Sequence, residues 1–302
     1  MRSILSYLKE FIIAVDKRML LFCCLLAATG ILINYHFQLN RKINTTPRQI
    51  QYVSWYLVFF IAFAIPYCIY SCLKGRRLFT NANFVTLVLL APALFAWKMA
   101  FNINIHLSNS NELNIYYNQV VYWPLKLLIV TLILVVVWKK YNPSQPFYGT
   151  VPSNFDVLPY LGMLCIMVPL IAAASTLPDF LAVYPKLKNL HHLPVVQENG
   201  FYKLAYELAY GSDFITIELF FRGFLILAFI QYAGRESILP MAVFYCAIHF
   251  GKPLAECISS FFGGIILGVI TYHTRTIWGG VIVHLGTAWL MELGGYLGNM
   301  YY

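Results

Sequence analysis

Charge is scarce in this chain of 302 residues: Asp, Glu, Lys and Arg make up only 11% of it, against about a quarter in an ordinary soluble domain. With 60% hydrophobic and 17% aromatic residues, the shortage excludes a soluble globular domain and implies a membrane-embedded one. There is no Gly-rich phosphate loop, internal repeat or low-complexity tract. Cysteines lack the paired short spacings that thiolate metal sites need. The seven of them, at 23, 24, 68, 72, 165, 246 and 257, read as buried thiols, Cys68 and Cys72 merely one helical turn apart. No small-residue cleavage site closes the first apolar run after "SYLKEFIIAVDKRM", so a retained span is expected rather than a signal peptide.

What the chain does have is length in apolar runs. A hydrocarbon core about 30 Å thick needs roughly 20 apolar helical residues. On that measure about nine segments qualify: 19–37, 52–73, 84–101, 120–138, 157–176, 213–233, 238–250, 257–273 and 277–294. The seventh is short and spans incompletely, which is tolerated where its ends are buried in protein or line a wet cavity. The expected fold class is therefore all-α, a polytopic membrane bundle.

Twenty-one Lys+Arg against twelve Asp+Glu give a net charge of +9. The basic residues cap apolar runs, as in "DKR", "KGRR" and "WKK", which points to an anionic bilayer surface and not to nucleic acid. The stretch 102–119 contains no Lys or Arg. The positive-inside bias then puts the N-terminus in the cytoplasm and leaves "GNMYY" outside, although Arg41, Lys42 and Arg48 in the loop 38–51 run against it.

Several intramembrane polar residues have plain explanations. Lys98 and Lys126 lie near span ends, where their stems can snorkel. The adjacent His191 and His192 would point about 100° apart on a helix, a poor metal pair. The segment 177–212 reads as a solvated loop with a surface helix near 202–210.

Three features resist that treatment. An ionised side chain in the bilayer costs several kcal/mol and marks a functional site by default. In "IELFFRG", Glu218 and Arg222 stand four apart with the acid first, the favourable order on one helical face; a structural ion pair is the competing explanation. "FYCAIHFGKP" places His249 where a helix stops, and "IWGGVIVHLGTAW" places His284 near mid-membrane. Between them "FFGGIILG" carries Gly264 and Gly268 at the small-xxx-small spacing that lets helices approach closely. One carboxylate and two imidazoles admit two hydrolytic chemistries. In one, Glu218, His249 and His284 ligate Zn²⁺ with an open water position. In the other, no metal is used: the carboxylate and one histidine activate water and the second histidine stabilises the oxyanion.

"ELFFRG", "YCAIH", "FFGGIILG" and the final membrane His together resemble the CPBP family, the CAAX-protease and bacteriocin-processing intramembrane proteases related to type II CAAX prenyl endopeptidases. The resemblance covers about residues 157–294. It divides the chain into an N-terminal membrane region, 1–145, and a CPBP-like core, 146–302, with site helices six, seven and nine. The family pattern is EExxxR, then FxxxH, then HxxxN or HxxxD. Glu218 matches its second acid, Arg222 its arginine, His249 and His284 its two histidines. Ile217 stands where the family has its first Glu, regarded as the water-activating base. Tyr245 replaces the phenylalanine, and Ala288 the amide or acid that assists the last histidine. Glu292, two turns beyond His284, either partly replaces that group or snorkels at the helix end.

The resemblance implies an intramembrane endopeptidase of a bacterial cytoplasmic membrane, cutting a membrane-associated or exported peptide, with a cavity opening at the face bearing the loop near 251. The departures leave two forms of it: Glu218 has become the base, kept charged by Arg222, or the scaffold only binds, as an immunity or assembly factor. A proton-relay transporter is a third reading, against which stands the missing repeat.

Overall fold

The computed structural model describes residues 4–151 and 156–301, and every regular element among them is helical. Tyr302, the end of the "GNMYY" tail, and residues 152–155 within the expected 146–302 core lie outside the described residues. Among the described residues, five helices are long and apolar enough to cross a membrane: Lys17–Phe37, Arg48–Lys74, Ala82–Ala100, Asn111–Tyr141 and Leu254–Thr274. Leu158–Ala174 is a shorter apolar helix. The seventh expected span forms the helix Ile238–Ala247, ten residues, which rises only about 15 Å.

Two compact units are built from interleaved segments. The first comprises Met1–Phe101, Val136–Ser153 and Phe220–Ile277. Its centre is aromatic: Phe59, Phe63, Phe95, Phe220, Phe221 and Phe244 are fully or almost fully buried and meet mostly edge to face, as ring quadrupoles prefer. The helix Leu254–Thr274 packs on Ile238–Ala247 through the expected glycines. A Cβ on Gly264 would lie 3.2 Å from the Tyr245 ring, and one on Gly268 2.8 Å from Met241. At one end of this unit Lys74 donates to Asp16 at 2.8 Å and Arg76 to the Tyr232 carbonyl at 3.1 Å. At the other, Asn34 and Tyr35 donate to the carbonyls of Phe250 and Lys252 at 2.8 and 2.6 Å.

The second unit comprises Asn102–Val135, Asn154–Leu219 and Trp278–Tyr302. Here the helix Trp278–Tyr301 lies close against Leu158–Ala174. A Cβ on Gly279 would collide with Tyr160, and one on Gly286 would come within 2.7 Å of Leu164.

The polar residues depart from expectation in several places. The surface helix near 202–210 and the start of the sixth span are one continuous helix, Gly200–Glu218, whose first turn is capped by Asn199. Gly211 does not break it, because that position is where Leu285 and Trp289 pack. Beyond Glu218 the chain changes to a π-helix, Leu219–Ala228, before the short helix Ile230–Ala233. Lys98 and Lys126 are buried, 5% and 4% exposed, instead of snorkelling; each ammonium lies over a ring, of Phe95 and Tyr122 respectively. Cys68, Cys72 and Cys165 are exposed, and only Cys23, Cys246 and Cys257 are buried. His191 and His192 are exposed, but the segment 177–212 around them is not the expected solvated loop: it folds into short helices, and its apolar residues Phe180, Tyr184, Leu190, Leu193, Val196 and Tyr206 are buried.

Candidate active site

Glu218 is the last α-helical residue before the π stretch, a type of helix irregularity that is frequent at functional sites. Its side chain is fully buried, and Oε1 stands 2.9 Å from Nδ1 of His284. An ionised carboxylate only accepts, so the ring donates from Nδ1, which leaves Nε2 as the acceptor of the neutral imidazole. The contact is made possible one helical turn earlier on the histidine's own helix. At Gly280, four residues before His284, any Cβ would collide with Glu218 Oε2. On the other side Phe214, four residues before Glu218, meets the imidazole edge to face, 4.8 Å between centroids. The ring is thus held by one turn of the glutamate's helix and the carboxylate by one turn of the histidine's.

Arg222 and His249 belong to the first unit, and Tyr245 joins them there. The buried guanidinium of Arg222 lies 4.2 Å over the Tyr245 ring, and the imidazole of His249 packs against the same ring, 4.6 Å between centroids. Tyr245 also contributes its carbonyl, 2.8 Å from His249 Nδ1. A carbonyl cannot donate, so Nδ1 carries the proton and the neutral ring presents Nε2 as an acceptor. Donation to an oxyanion from this ring requires the imidazolium. His249 lies just beyond the helix Ile238–Ala247, at the helix end that its Gly and Pro neighbours predict.

Besides Tyr245, the two positions that differ from the family pattern are apolar and buried. Ile217 is 7% exposed, and Ala288 belongs to a cluster with Tyr116, Tyr206 and Tyr210. Glu292 does not snorkel. It is buried, and its two oxygens accept the backbone N–H of Lys186 at 2.9 and 2.8 Å, opening the 3₁₀ turn Lys186–Leu190.

Residues 208–290 match the family model described as Type II CAAX prenyl endopeptidase Rce1-like. Over that stretch the CPBP resemblance is borne out. Glu218, Arg222, His249 and His284 all fall inside the Rce1-like segment, and Glu292 falls outside it. No curated protein and no solved structure matches the chain.

Among the described residues no group of three or more His, Cys, Asp or Glu side chains is placed to hold an ion. Within the Rce1-like segment, the His284 nitrogen nearest the carboxylate is engaged in a hydrogen bond to it, and the Nδ1 of His249 is engaged by a carbonyl. Gly280 and Phe214 escaped the reading of the sequence. The signal for Gly280 is its i,i−4 spacing to His284, a small residue one turn from a membrane histidine; for Phe214 it is the same spacing to Glu218.

Proposed function

We propose that this protein is an intramembrane endopeptidase of the CAAX type, in which Glu218 and His284 work as an acid–base pair without metal. The observation that carries the reading is the 2.9 Å contact between Glu218 and His284 inside the Rce1-like segment. A carboxylate that fixes one imidazole nitrogen as donor makes the other a base for water, the orienting role an Asp plays in hydrolytic triads. His284 Nε2 takes a proton from water as its oxygen attacks the peptide carbonyl, and returns it to the leaving amine. On the resemblance, His249 supplies the oxyanion contact as an imidazolium and Arg222 the supporting charge.

The substrate is a membrane-associated or exported peptide or protein, and the fold is a bundle of about nine spans with its core in 146–302, set in a bacterial cytoplasmic membrane. A second reading, a non-catalytic binding, immunity or assembly factor, draws on the buried apolar side chains at Ile217 and Ala288.

The test is to place Glu218→Gln, His249→Ala and His284→Ala singly in the native host and compare peptide termini in membrane and secreted fractions by mass spectrometry. Under the protease reading, one set of termini disappears in all three. If all three variants accumulate normally and no terminus changes, the binding reading stands instead. Metal analysis of the purified protein decides the chemistry: about one zinc per chain, lost in His284→Ala, would overturn the metal-free form.

A further inference from the structure

Away from these residues, a cleft of about 360 Å³ opens at the basic end of the first unit. The helix Arg48–Lys74 stops at Gly75, whose φ of 61° turns the chain back, and the two residues that follow are both arginines. Arg76 and Arg77 line the cleft together with Ser71, Cys72, Phe79 and Thr80. One guanidinium is anchored: Arg76 donates from Nη1 to the Tyr232 carbonyl at 3.1 Å. Arg77 is exposed. The hydroxyls of Ser71 and Thr80 donate to the carbonyls of Arg76 and Arg77, so the donors offered to a ligand are the guanidinium groups. Two acids stand nearby: Asp16 accepts from Lys74 and Arg18, and Glu236 lies within electrostatic reach of Lys74. Beside the two cations the wall is apolar: Cys72 is exposed and Phe79 is 40% exposed, its ring held edge to face by Phe84.

A free anion would use only the arginine half of this cleft. An amphipathic anion uses both halves, and the cleft stands where a spanning helix leaves the apolar layer. We propose that it binds an anionic phospholipid, the headgroup phosphate held by Arg76 and Arg77 and one acyl chain lying past Cys72 and Phe79. Planar guanidinium groups suit phosphate because each can offer two parallel N–H donors.

The experiment uses the full chain in nanodiscs of phosphatidylcholine containing a minor fraction of phosphatidylglycerol, with the lipid retained after gentle extraction counted by native mass spectrometry. Arg76→Gln with Arg77→Gln lowers phosphatidylglycerol retention, by about fivefold per arginine on the usual worth of a basic residue at an anionic surface. Lys42→Gln with Arg48→Gln leaves it unchanged, and millimolar inorganic phosphate does not displace it. The single variant Arg77→Gln carries the test if the double one fails to accumulate, because that side chain is exposed. Unchanged retention in the arginine variants overturns the proposal. So does equal loss in the Lys42/Arg48 variant, which would mean attraction by bulk charge, or equal displacement by inorganic phosphate, which would mean a phosphate site without a lipid.

Discussion

At Gly280 a methyl group would occupy space that the Glu218 carboxylate fills, so Gly280→Ala must drive the acid out of line with His284 or push the two helices apart. Overpacking of this kind costs about 1–3 kcal/mol. Thermal melts of the purified protein should show that loss for Gly280→Ala and none for Gly263→Ala, where a Cβ meets nothing within 4 Å. Equal melting of both variants and the parent would remove Gly280 from the site. Tyr245 allows a similar contrast. Tyr245→Phe keeps the ring that faces Arg222 and His249 and should melt close to the parent, whereas Tyr245→Leu removes a desolvated cation–π contact worth about 2 kcal/mol. If the leucine variant melts like the phenylalanine one, the ring is not what holds the guanidinium. At this scale the sequence was readable where chemistry was out of place: Glu218 and His284 stood out because polar groups are rare in apolar runs. It was mute at Gly280 and Phe214, which look like ordinary packing residues until a partner helix is known.

Elements were legible to the extent that their signals were local. The Gly264 and Gly268 spacing announced a close helix contact, and the structure has it. By contrast, nothing in "YELAYGSDFITIELFFRG" marks the point where α-helix becomes π-helix, nor that the surface helix near 202–210 runs on into the sixth span. The start of the helix Lys17–Phe37 is a further local feature. Asp16 caps it, accepting from the backbone N–H of Arg18 and Met19, and also takes Lys74 from the end of the next long helix. The Lys74 ammonium first, and Arg18 second, hold the Asp16 carboxyl well below the ordinary carboxylate range. A depressed pKa in the fold means stabilisation that is complete above the unfolded value of about 3.9 and fades as pH falls through the folded one. Melts of the parent should therefore weaken on acidification below about pH 4 more than those of Asp16→Asn, which retains a capping oxygen but no charge. Asp16→Ala should lose, in addition, about 1 kcal/mol of cap at neutral pH. Identical acid profiles for the parent and Asp16→Asn would show that the Lys74 contact contributes nothing.

For the whole molecule, charge and contact point to the same orientation. The hydrogen bond from Lys74 to Asp16 brings the start of Lys17–Phe37 and the end of Arg48–Lys74 to one end of the first unit, so "DKR" and "KGRR" form one basic surface, and the bond from Arg76 to Tyr232 adds the "GRES" turn to it. The loop holding Gly251 lies at the opposite end, its backbone carbonyls tied to Asn34 and Tyr35. Arg41, Lys42 and Arg48 are at that end too, which is why loop counts alone left the orientation divided. Six basic residues at 17, 18, 74, 76, 77 and 235 against four at 41, 42, 48 and 252 favour the cytoplasmic N-terminus by excess, since the bias is set by Lys and Arg near span ends. The expectation can be checked with single cysteines in a background where Cys68, Cys72 and Cys165, all exposed, are serine. A membrane-impermeant maleimide should label Lys42→Cys in intact cells, and Thr80→Cys only after the membrane is opened. The reverse pattern would turn the protein over, bringing the loop near 251 and any substrate entry beside it to the cytoplasmic face, where a prenylated protein rather than an exported peptide would meet it.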